Sequence, residues 1–293
     1  MEHPLKIFND ENPLAFFKMT GSGNDFILID NRLQRISTDQ GRELARLACR
    51  RKISVGADGL ILIEDDAEVD FRWRFFNADG SEAEMCGNGA RCAARFTHLK
   101  GIVRKKEMAF RTLAGIIRAE IKGERVKVRM TPPHSLKGDI SLEVDEDTYS
   151  LHFIDTGVPH VVNFVADQSA LETVDVFRLG RALRYHPQFL PAGTNADFAA
   201  VLDQHHMAVR TYERGVEAET LACGTGSIAA ALIAASRKLV VSPVEVMTQS
   251  GETLTIHFEQ RNSKGLPEFA EVYLEGDAKV VYEAELWDET LRR

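Results

Sequence analysis

The segment that decides the fold is Cys86-Gly-Asn-Gly-Ala-Arg-Cys-Ala-Ala, which returns later in the chain as Cys223-Gly-Thr-Gly-Ser-Ile-Ala-Ala-Ala. The spacing around the two copies also matches, because Gly21 precedes Cys86 by 65 residues and Gly157 precedes Cys223 by 66 residues. A motif repeated at a repeated offset indicates an internal duplication. The sequence therefore predicts two similar halves, each with one cysteine–glycine turn.

Each turn leads into a run of small residues that is typical of a helix. Glycine permits unusual backbone angles or the close approach of a neighbouring group. A helix that begins there directs unpaired N–H groups and its positive end toward the cysteine and toward a bound anion. We expect this setting to lower the pKa of both thiols and to make thiolate available.

Two such thiols suit the inversion of an α-carbon that carries a carboxylate. One thiolate removes the α-proton from one face, and the opposite thiol delivers a proton to the other face. The helix N–H groups stabilise the negative charge that spreads into the carboxylate. Cys49 and Cys92 lie inside helical patterns, and we interpret them as small buried hydrophobic residues.

Strand patterns outnumber helical patterns and do not alternate with them strictly, which predicts an α+β fold rather than a doubly wound sheet. The predicted strands are Phe26–Ile29, Leu60–Ile63, Phe71–Phe76, Val126–Met130, Val161–Val165, Phe198–Val201, Met207–Tyr212, Val244–Met247, Leu254–Phe258 and Val272–Leu274. The predicted helices are Arg42–Arg51, Asn88–Leu99, Val176–Arg184 and Thr225–Arg237.

The expected division is residues 1–131 with Cys86, residues 132–277 with Cys223, and a segment 278–293 that returns to the N-terminal half. Thr131-Pro-Pro reads as a turn or linker, because proline removes a hydrogen-bond donor that a sheet needs.

Composition excludes several classes of protein. The net charge of −8 disfavours nonspecific nucleic-acid binding. The longest apolar run, Ile228–Ala235, is too short to cross a bilayer, and the polar start does not resemble a signal peptide. The four cysteines form no CxxC pair, which disfavours a zinc site. We expect a cytoplasmic protein with no membrane, metal or cofactor requirement, and a homodimer is the candidate assembly.

Five segments resemble the diaminopimelate epimerase family, and the resemblance runs from about Phe16 to Glu285. They are Lys18-Met-Thr-Gly-Ser-Gly-Asn-Asp-Phe, Phe76-Asn-Ala-Asp-Gly-Ser, Met85-Cys-Gly-Asn-Gly-Ala-Arg-Cys, Gly193-Thr-Asn-Ala-Asp-Phe, and Glu213-Arg-Gly with Ala222-Cys-Gly-Thr-Gly. The resemblance implies two pseudo-symmetric halves, each a β-sheet or barrel wrapped around a central helix, with the active site in the cleft between them.

The resemblance also implies the activity, a cofactor-independent epimerisation of LL- to meso-diaminopimelate in lysine and cell-wall precursor biosynthesis. It assigns proton transfer to Cys86 and Cys223 and tuning of the cysteine pKa values to His160 and Glu213. The implied substrate-binding residues are Asn24, Asn77, Gly87, Asn88, Asn195, Glu213, Arg214, Gly224 and Thr225.

Two positions depart from the family pattern, which often has asparagine at the place of Val158 and glutamine at the place of Gly59. Both positions belong to the expected substrate contacts, so they leave the fine substrate preference open. About 13 residues at the N-terminus extend beyond the usual start of the family.

Several alternatives stay open at the level of sequence. They are a related two-cysteine racemase of histidine or proline, a noncatalytic amino-acid-binding protein, and a thiol redox protein. Gly224-Thr-Gly-Ser-Ile-Ala also matches a dinucleotide-binding fingerprint, although serial βαβ units are missing around it. For His160 the alternative is a surface loop residue, for the asparagines simple turn formation, and for Glu213 and Arg214 a solvated ion pair.

Overall fold

The structure is a computed structural model that describes residues 13–263 and 266–291; residues 1–12, most of the N-terminal extension, lie outside the described residues. The strands are β1 (Leu14–Gly21), β2 (Asn24–Asp30), β3 (Gly59–Glu64), β4 (Phe71–Asn77), β5 (Glu107–Thr112), β6 (Gly115–Lys122), β7 (Arg125–Arg129), β8 (His134–Val144), β9 (Asp147–Asp155), β10 (Pro159–Phe164), β11 (Asn195–Val201), β12 (His206–Glu213), β13 (Ala218–Thr220), β14 (Val244–Met247), β15 (Thr253–Ser263), β16 (Leu266–Asp277) and β17 (Lys279–Leu286). The helices are α1 (Thr38–Ala48), α2 (Gly87–Leu99), α3 (Gln168–Glu172), α4 (Val176–Arg184) and α5 (Gly224–Ser236), with short 3₁₀ turns at Pro187–Phe189 and Asp288–Leu291.

The described residues divide into two compact units. Residues 13–128 and 277–291 form the first unit, and Arg129–Gly276 form the second. The chain passes from the first unit to the second just before Thr131-Pro-Pro, which is extended loop between β7 and β8.

In the first unit, the strands pair in a fixed alternation. β1 is antiparallel to β2, β2 is parallel to β3, β3 is antiparallel to β4, β4 is parallel to β5, and β5 is antiparallel to β6. The last strand, β17, pairs antiparallel with β1. Each parallel pair needs a crossover, because parallel neighbours cannot be joined by a tight turn. Helix α1 crosses from β2 to β3, and helix α2 crosses from β4 to β5.

The second unit repeats this alternation. β9 is antiparallel to β10, β10 is parallel to β11, β11 is antiparallel to β12, β12 is parallel to β14, and β14 is antiparallel to β15. Helices α3 and α4 form the first crossover, and α5, preceded by the short strand β13, forms the second. The α+β class and the two pseudo-symmetric halves predicted from the repeated motif are confirmed.

The second crossover of each unit is the central helix. The ten residues Gly226–Ala235 of α5 are all buried, and the helix contacts strands on several sides. A helix that is apolar all round has no face for water and must lie inside a core. Helix α2 is buried over most of its length and includes the fully buried Arg91, whose Nη2 donates to Ser22 Oγ at 2.7 Å.

Three of the four predicted helices agree with the structure within one residue at each end, and the first begins four residues earlier than predicted. Ser37 caps that helix, and Gln40 returns a side-chain bond to the Ser37 backbone, so the polar first turn is held by capping. The helix α3 and strands such as β8 were not predicted. Most residues of β8 are exposed, and the alternation of apolar and polar positions is confined to its second half, Ile140–Val144.

Within the described residues, none of the helices combines the length and the apolar character that crossing a bilayer requires.

The contact between α4 and β12 leads to a prediction about Gly180. A Cβ at position 180 would lie 2.4 Å from Cβ of Tyr212, so the helix can approach the strand only because this residue is glycine. Alanine normally favours a helix interior by about 1 kcal/mol, but here we expect Gly180→Ala to lower the free energy of unfolding by about 1–3 kcal/mol.

Chemical denaturation measures this change. Gly138→Ala is the control, because a Cβ there would lie at an ordinary 3.5 Å from His152 Nδ1, and we expect it to stay within about 0.5 kcal/mol of the unsubstituted chain. Equal effects of the two substitutions would contradict the proposed steric cause.

Candidate active site

Both cysteines of the repeated motif lie at the N-cap of the central helix of their unit. Cys86 precedes α2 and Cys223 precedes α5, each with an extended backbone, and both helices have 13 residues. The first helical hydrogen bonds run from Ala90 N to Cys86 O at 2.8 Å and from Ser227 N to Cys223 O at 3.0 Å.

The residues between the N-cap cysteine and the first residue that donates a helical hydrogen bond have backbone N–H groups with no partner in the helix. In the first unit they include Gly87 and Asn88, and in the second unit Gly224 and Thr225. Such groups, together with the positive end of the helix dipole, bind anions such as carboxylates. Each unit therefore presents one cysteine beside one potential carboxylate site.

The glycines of the second turn are required by close packing. A Cβ at Gly224 would lie 2.8 Å from Leu274 Cδ2, and a Cβ at Gly226 would lie 2.2 Å from Asp197 Oδ1. Because Gly226 has no side chain, the Asp197 carboxylate lies directly against the first turn of α5.

In the first unit, a chain of hydrogen bonds connects the start of α2 to a partly exposed charge cluster. Asn88 Nδ2 donates to Asn24 Oδ1 at 2.6 Å, and Asn24 Nδ2 donates to Asp58 Oδ2 at 3.0 Å. Asp58 is in turn paired with Arg51, which also binds Asp25. Because Asp58 can only accept, it fixes the orientation of both amides. Asn24 and Asn88, both predicted as site residues, are thus bonded to each other and oriented by Asp58, which was not predicted.

Asn77 lies apart from that chain of bonds. It is exposed at the end of β4, and its Nδ2 donates to Ser81 Oγ at 3.0 Å. Its strand neighbour is Gly59. A Cβ at Gly59 would lie 2.5 Å from Phe75 Cε2, so the aromatic ring excludes any side chain at this departure from the family pattern.

In the second unit, three neighbouring strands place polar side chains beside α5. His160 lies on β10, Asp197 on β11 and Thr211 on β12, and all three are buried. His160 Nδ1 lies 2.7 Å from Asp197 Oδ2, and Thr211 Oγ1 donates to Asp197 Oδ1 at 2.7 Å. Asp197 and Thr211 are directly opposite each other in the antiparallel register, which explains the second bond. The interpretation of His160 as a surface loop residue is wrong.

The other ring nitrogen of His160 is not satisfied. Within the described part of the chain, His160 Nε2 is buried and has no hydrogen-bond partner. A buried polar atom without a partner costs about 1–3 kcal/mol, and functional sites are where such costs are retained.

The electrostatics around Cys223 differ from the expectation. Burial raises the pKa of the Cys223 thiol well above its ordinary value, and the negative charges of Glu213 and Asp197 raise it further. Hydrogen bonds from Thr225 and from the Gly226 backbone oppose the rise with a smaller effect. For Cys223, the predicted lowering of the pKa is therefore wrong: desolvation and two carboxylates outweigh the helix end.

Glu213 belongs to the same cluster. Burial raises the pKa of its carboxyl group, and Asp197 adds to the rise. A hydrogen bond from Thr220, the electrostatic interaction with His160 and a hydrogen bond from the Cys223 thiol oppose it. Thr225 Oγ1 lies 3.4 Å from Cys223 Sγ. The structure thus places Glu213 and Thr225 beside Cys223, which Gly224 follows directly, and Asp197 links His160 to the same cluster.

Asn195 and Arg214 are joined to each other rather than to that cluster. Asn195 Oδ1 accepts from the Arg214 backbone N–H at 2.8 Å, and Asn195 Nδ2 donates to Pro159 O at 2.9 Å. The guanidinium of Arg214 donates to Ala192 O at 2.8 Å. Asn195 therefore anchors the turn that carries Arg214 next to the strand that carries His160.

Asp197 and Thr211 were not predicted as site residues, although Asp197 lies within the family-like segment Gly193-Thr-Asn-Ala-Asp-Phe. The available signal was periodicity: Asp197 is two residues from Asn195, and Thr211 is two residues from Glu213, so each pair shares one face of its strand.

The sequence profile of the family described as "Diaminopimelate epimerase" matches residues 16–136 and 152–281. The diaminopimelate epimerase of Aquifex aeolicus is 47% identical over 289 residues, which cover 95% of this chain and 99% of that protein. The diaminopimelate epimerase of Chlorobaculum tepidum is 40% identical over 267 residues, with 90% and 98% covered.

Solved structures share the fold at lower identity. A PhzF-family phenazine biosynthesis protein of Bacillus anthracis superposes with a TM-score of 0.74 at 18% identity and covers 94% of this chain and 99% of that chain. A probable proline racemase of Agrobacterium radiobacter gives 0.67 at 14% identity, with 93% and 92% covered. These likenesses confirm the fold class. Because the profile and the close relatives extend over nearly the whole length, this chain belongs to the diaminopimelate epimerase family.

Proposed function

We propose that this chain is a cofactor-independent epimerase that interconverts LL- and meso-diaminopimelate through two proton-transfer cysteines, Cys86 and Cys223. The observation that carries the proposal is the equivalence of the two cysteines. Each caps the N-terminus of the second crossover helix of its unit, in two units of the same strand alternation. The names of the close relatives supply the substrate.

The reaction needs only groups that this chain possesses. A thiolate takes the α-proton and becomes a thiol, and the electron pair left on the α-carbon is delocalised into the carboxylate. The other thiol gives its proton to the opposite face and becomes a thiolate. Protons and charges balance, and the cycle leaves one thiol and one thiolate with their places exchanged.

The carboxylate bound at the reacting carbon is proposed to accept from the N–H groups of Gly87 and Asn88 and of Gly224 and Thr225. These donors are outside the helical ladders and need no reorganisation when negative charge develops, which favours the transition state. Asn24, Asn77, Asn195 and Arg214 are proposed to bind the remaining polar groups of the substrate. Arginine suits the second carboxylate because its donors form a planar fork.

The raised pKa of Cys223 supports a role as the thiol partner in the resting enzyme. A protonated Cys223 is a proton donor, so we propose that the first proton removed in that state is taken by Cys86. Glu213 and His160 are proposed to tune Cys223, because the Glu213 carboxylate raises the pKa of this thiol and His160 is bonded to Asp197, the second carboxylate that raises it. The cytoplasmic location and the homodimer remain predictions of the sequence.

Exchange of the α-hydrogen tests the function directly. With LL-diaminopimelate in heavy water, we expect deuterium at the α-carbon together with formation of the meso isomer, both followed by nuclear magnetic resonance and chiral chromatography. A panel that includes proline and histidine separates this function from the related racemases. Exchange confined to proline or histidine would refute the proposed substrate.

The two cysteines are tested by substitution. We expect Cys86→Ala and Cys223→Ala each to lower kcat for epimerisation by about 10²- to 10⁴-fold, the range typical of a lost general acid or base. Cys92→Ala is the control: Cys92 is fully buried inside α2, and we expect that variant to keep most of its activity. An essential Cys92 with a dispensable Cys86 would overturn the assignment.

Cofactor independence is tested by removal. We expect activity to survive dialysis against a metal chelator and treatment with a carbonyl scavenger, because thiols supply both proton transfers. Loss of activity that returns with a metal ion or with pyridoxal phosphate would contradict the two-thiol mechanism.

The charge cluster predicts a pH effect at Cys223. Glu213→Gln removes a negative charge that raises the pKa of this thiol, so the thiolate should form at lower pH than in the unsubstituted chain. The ultraviolet thiolate absorbance, taken as the difference from Cys223→Ala, measures this titration. Glu219→Gln is the matched control, since Glu219 is paired with Arg210 instead. A titration that Glu213→Gln leaves unmoved, or that Glu219→Gln moves equally, would contradict the assignment.

A further inference from the structure

His160 and Asp197 form a buried pair in which Asp197 determines the tautomer of the imidazole. Both side chains are fully buried, and they meet through Nδ1 of the imidazole at 2.7 Å. An ionised carboxylate has only acceptor atoms, so the hydrogen of this bond belongs to Nδ1. A neutral imidazole with its proton on Nδ1 has an acceptor lone pair at Nε2.

That lone pair is the unsatisfied atom of the cluster. Nε2 is buried without a hydrogen-bond partner among the described residues. The partner of Nδ1, Asp197, lies against Gly226 in the first turn of α5, which begins at Cys223. The His160 ring also interacts electrostatically with Glu213 of β12, and Glu213 accepts a hydrogen bond from the Cys223 thiol. A thiol that has taken up a proton is a hydrogen-bond donor, which is the kind of partner that Nε2 lacks.

We propose that Asp197 is a positioning residue, which keeps the proton of His160 on Nδ1 so that Nε2 serves as the hydrogen-bond acceptor for the Cys223 thiol during proton transfer. This inference rests on the proposed function of Cys223. It assigns no proton transfer to Asp197, which acts only through the imidazole.

The surroundings of Asp197 hold its carboxylate in one orientation. Thr211 Oγ1 donates to Oδ1, and the bare backbone of Gly226 lies against the same oxygen. The second oxygen, Oδ2, is thereby left for His160. Two strands and the helix turn thus determine which carboxylate oxygen meets the imidazole.

The same arrangement predicts what Asp197→Asn does. The Thr211 hydroxyl donor keeps the amide oxygen on its side, so the amide nitrogen faces His160 Nδ1 as a donor. Nδ1 must then accept, and the proton moves to Nε2 while the shape of the site is preserved. Where a buried aspartate holds an imidazole in this way, the wrong tautomer has cost about 10⁴-fold in kcat.

Nitrogen NMR of protein labelled at histidine reads the tautomer without relying on activity. The chain has nine histidines, and His160 is identified by the resonances missing from His160→Gln. We expect an Nδ1-protonated ring in the unsubstituted chain and an Nε2-protonated ring in Asp197→Asn. An Nε2-protonated His160 in the unsubstituted chain overturns the proposal, whether or not any variant folds.

Kinetics supply the second readout. We expect Asp197→Asn to lower kcat by roughly 10²-fold, in the range of general acid–base effects, with little change of KM. Glu275→Gln is the matched control: it also removes a carboxylate from a histidine, His257, at 3.0 Å, on β15 and β16. That variant should keep kcat within twofold or so of the unsubstituted chain, as expected for a pair outside the site.

The positioning role of Asp197 and the proposed function can fail separately. An Asp197→Asn enzyme that keeps kcat within about twofold, or that loses no more than Glu275→Gln, overturns the positioning role. If the unsubstituted chain exchanges no α-hydrogen of diaminopimelate, the proposed function fails, and the tautomer still reports separately on what Asp197 does to His160.

Discussion

Parallel strands need a crossover, and in each unit the second crossover is a buried helix that begins at a cysteine. This constraint orders the rest of the unit. Because the helix is enclosed by strands, its first turn opens at the ends of β-strands that carry polar side chains on one face. The N–H groups of that turn have no partners in the helical ladder. A cysteine sulfur and N–H groups free to bind an anion therefore arise together from one structural element.

The second unit illustrates how opposing electrostatic effects are resolved at such a turn. A helix N-terminus lowers a thiol pKa when the sulfur is exposed to its field and to water. Cys223 is only 8% exposed and lies with Glu213 and Asp197, so desolvation and like charge dominate. The result is a sulfur that stays protonated in the resting state, as its proposed role of thiol partner requires. The glycine at position 226 contributes to this result, since it admits the Asp197 carboxylate to the helix turn.

One departure from the family pattern, Gly59, has a local structural explanation. The absence of a side chain at Gly59 is matched by the ring of Phe75, which occupies the space a Cβ would need. Phe75 also packs against Phe26, with ring centroids 5.8 Å apart. The neighbouring Asn77 remains exposed at the end of its strand. Aromatic rings therefore fill this corner of the first unit.

The sequence by itself determined the duplication, the class of fold, and the two cysteines at helix starts, because these follow from a repeated motif and from glycine at the turn. It also determined most helix bounds, since apolar periodicity and capping residues act locally. Only the tertiary structure decided the sign of the pKa shift at Cys223, the partners of His160 and the role of Asp58 in orienting Asn24 and Asn88. Burial and strand register create those features, and both depend on residues that lie far apart in the chain.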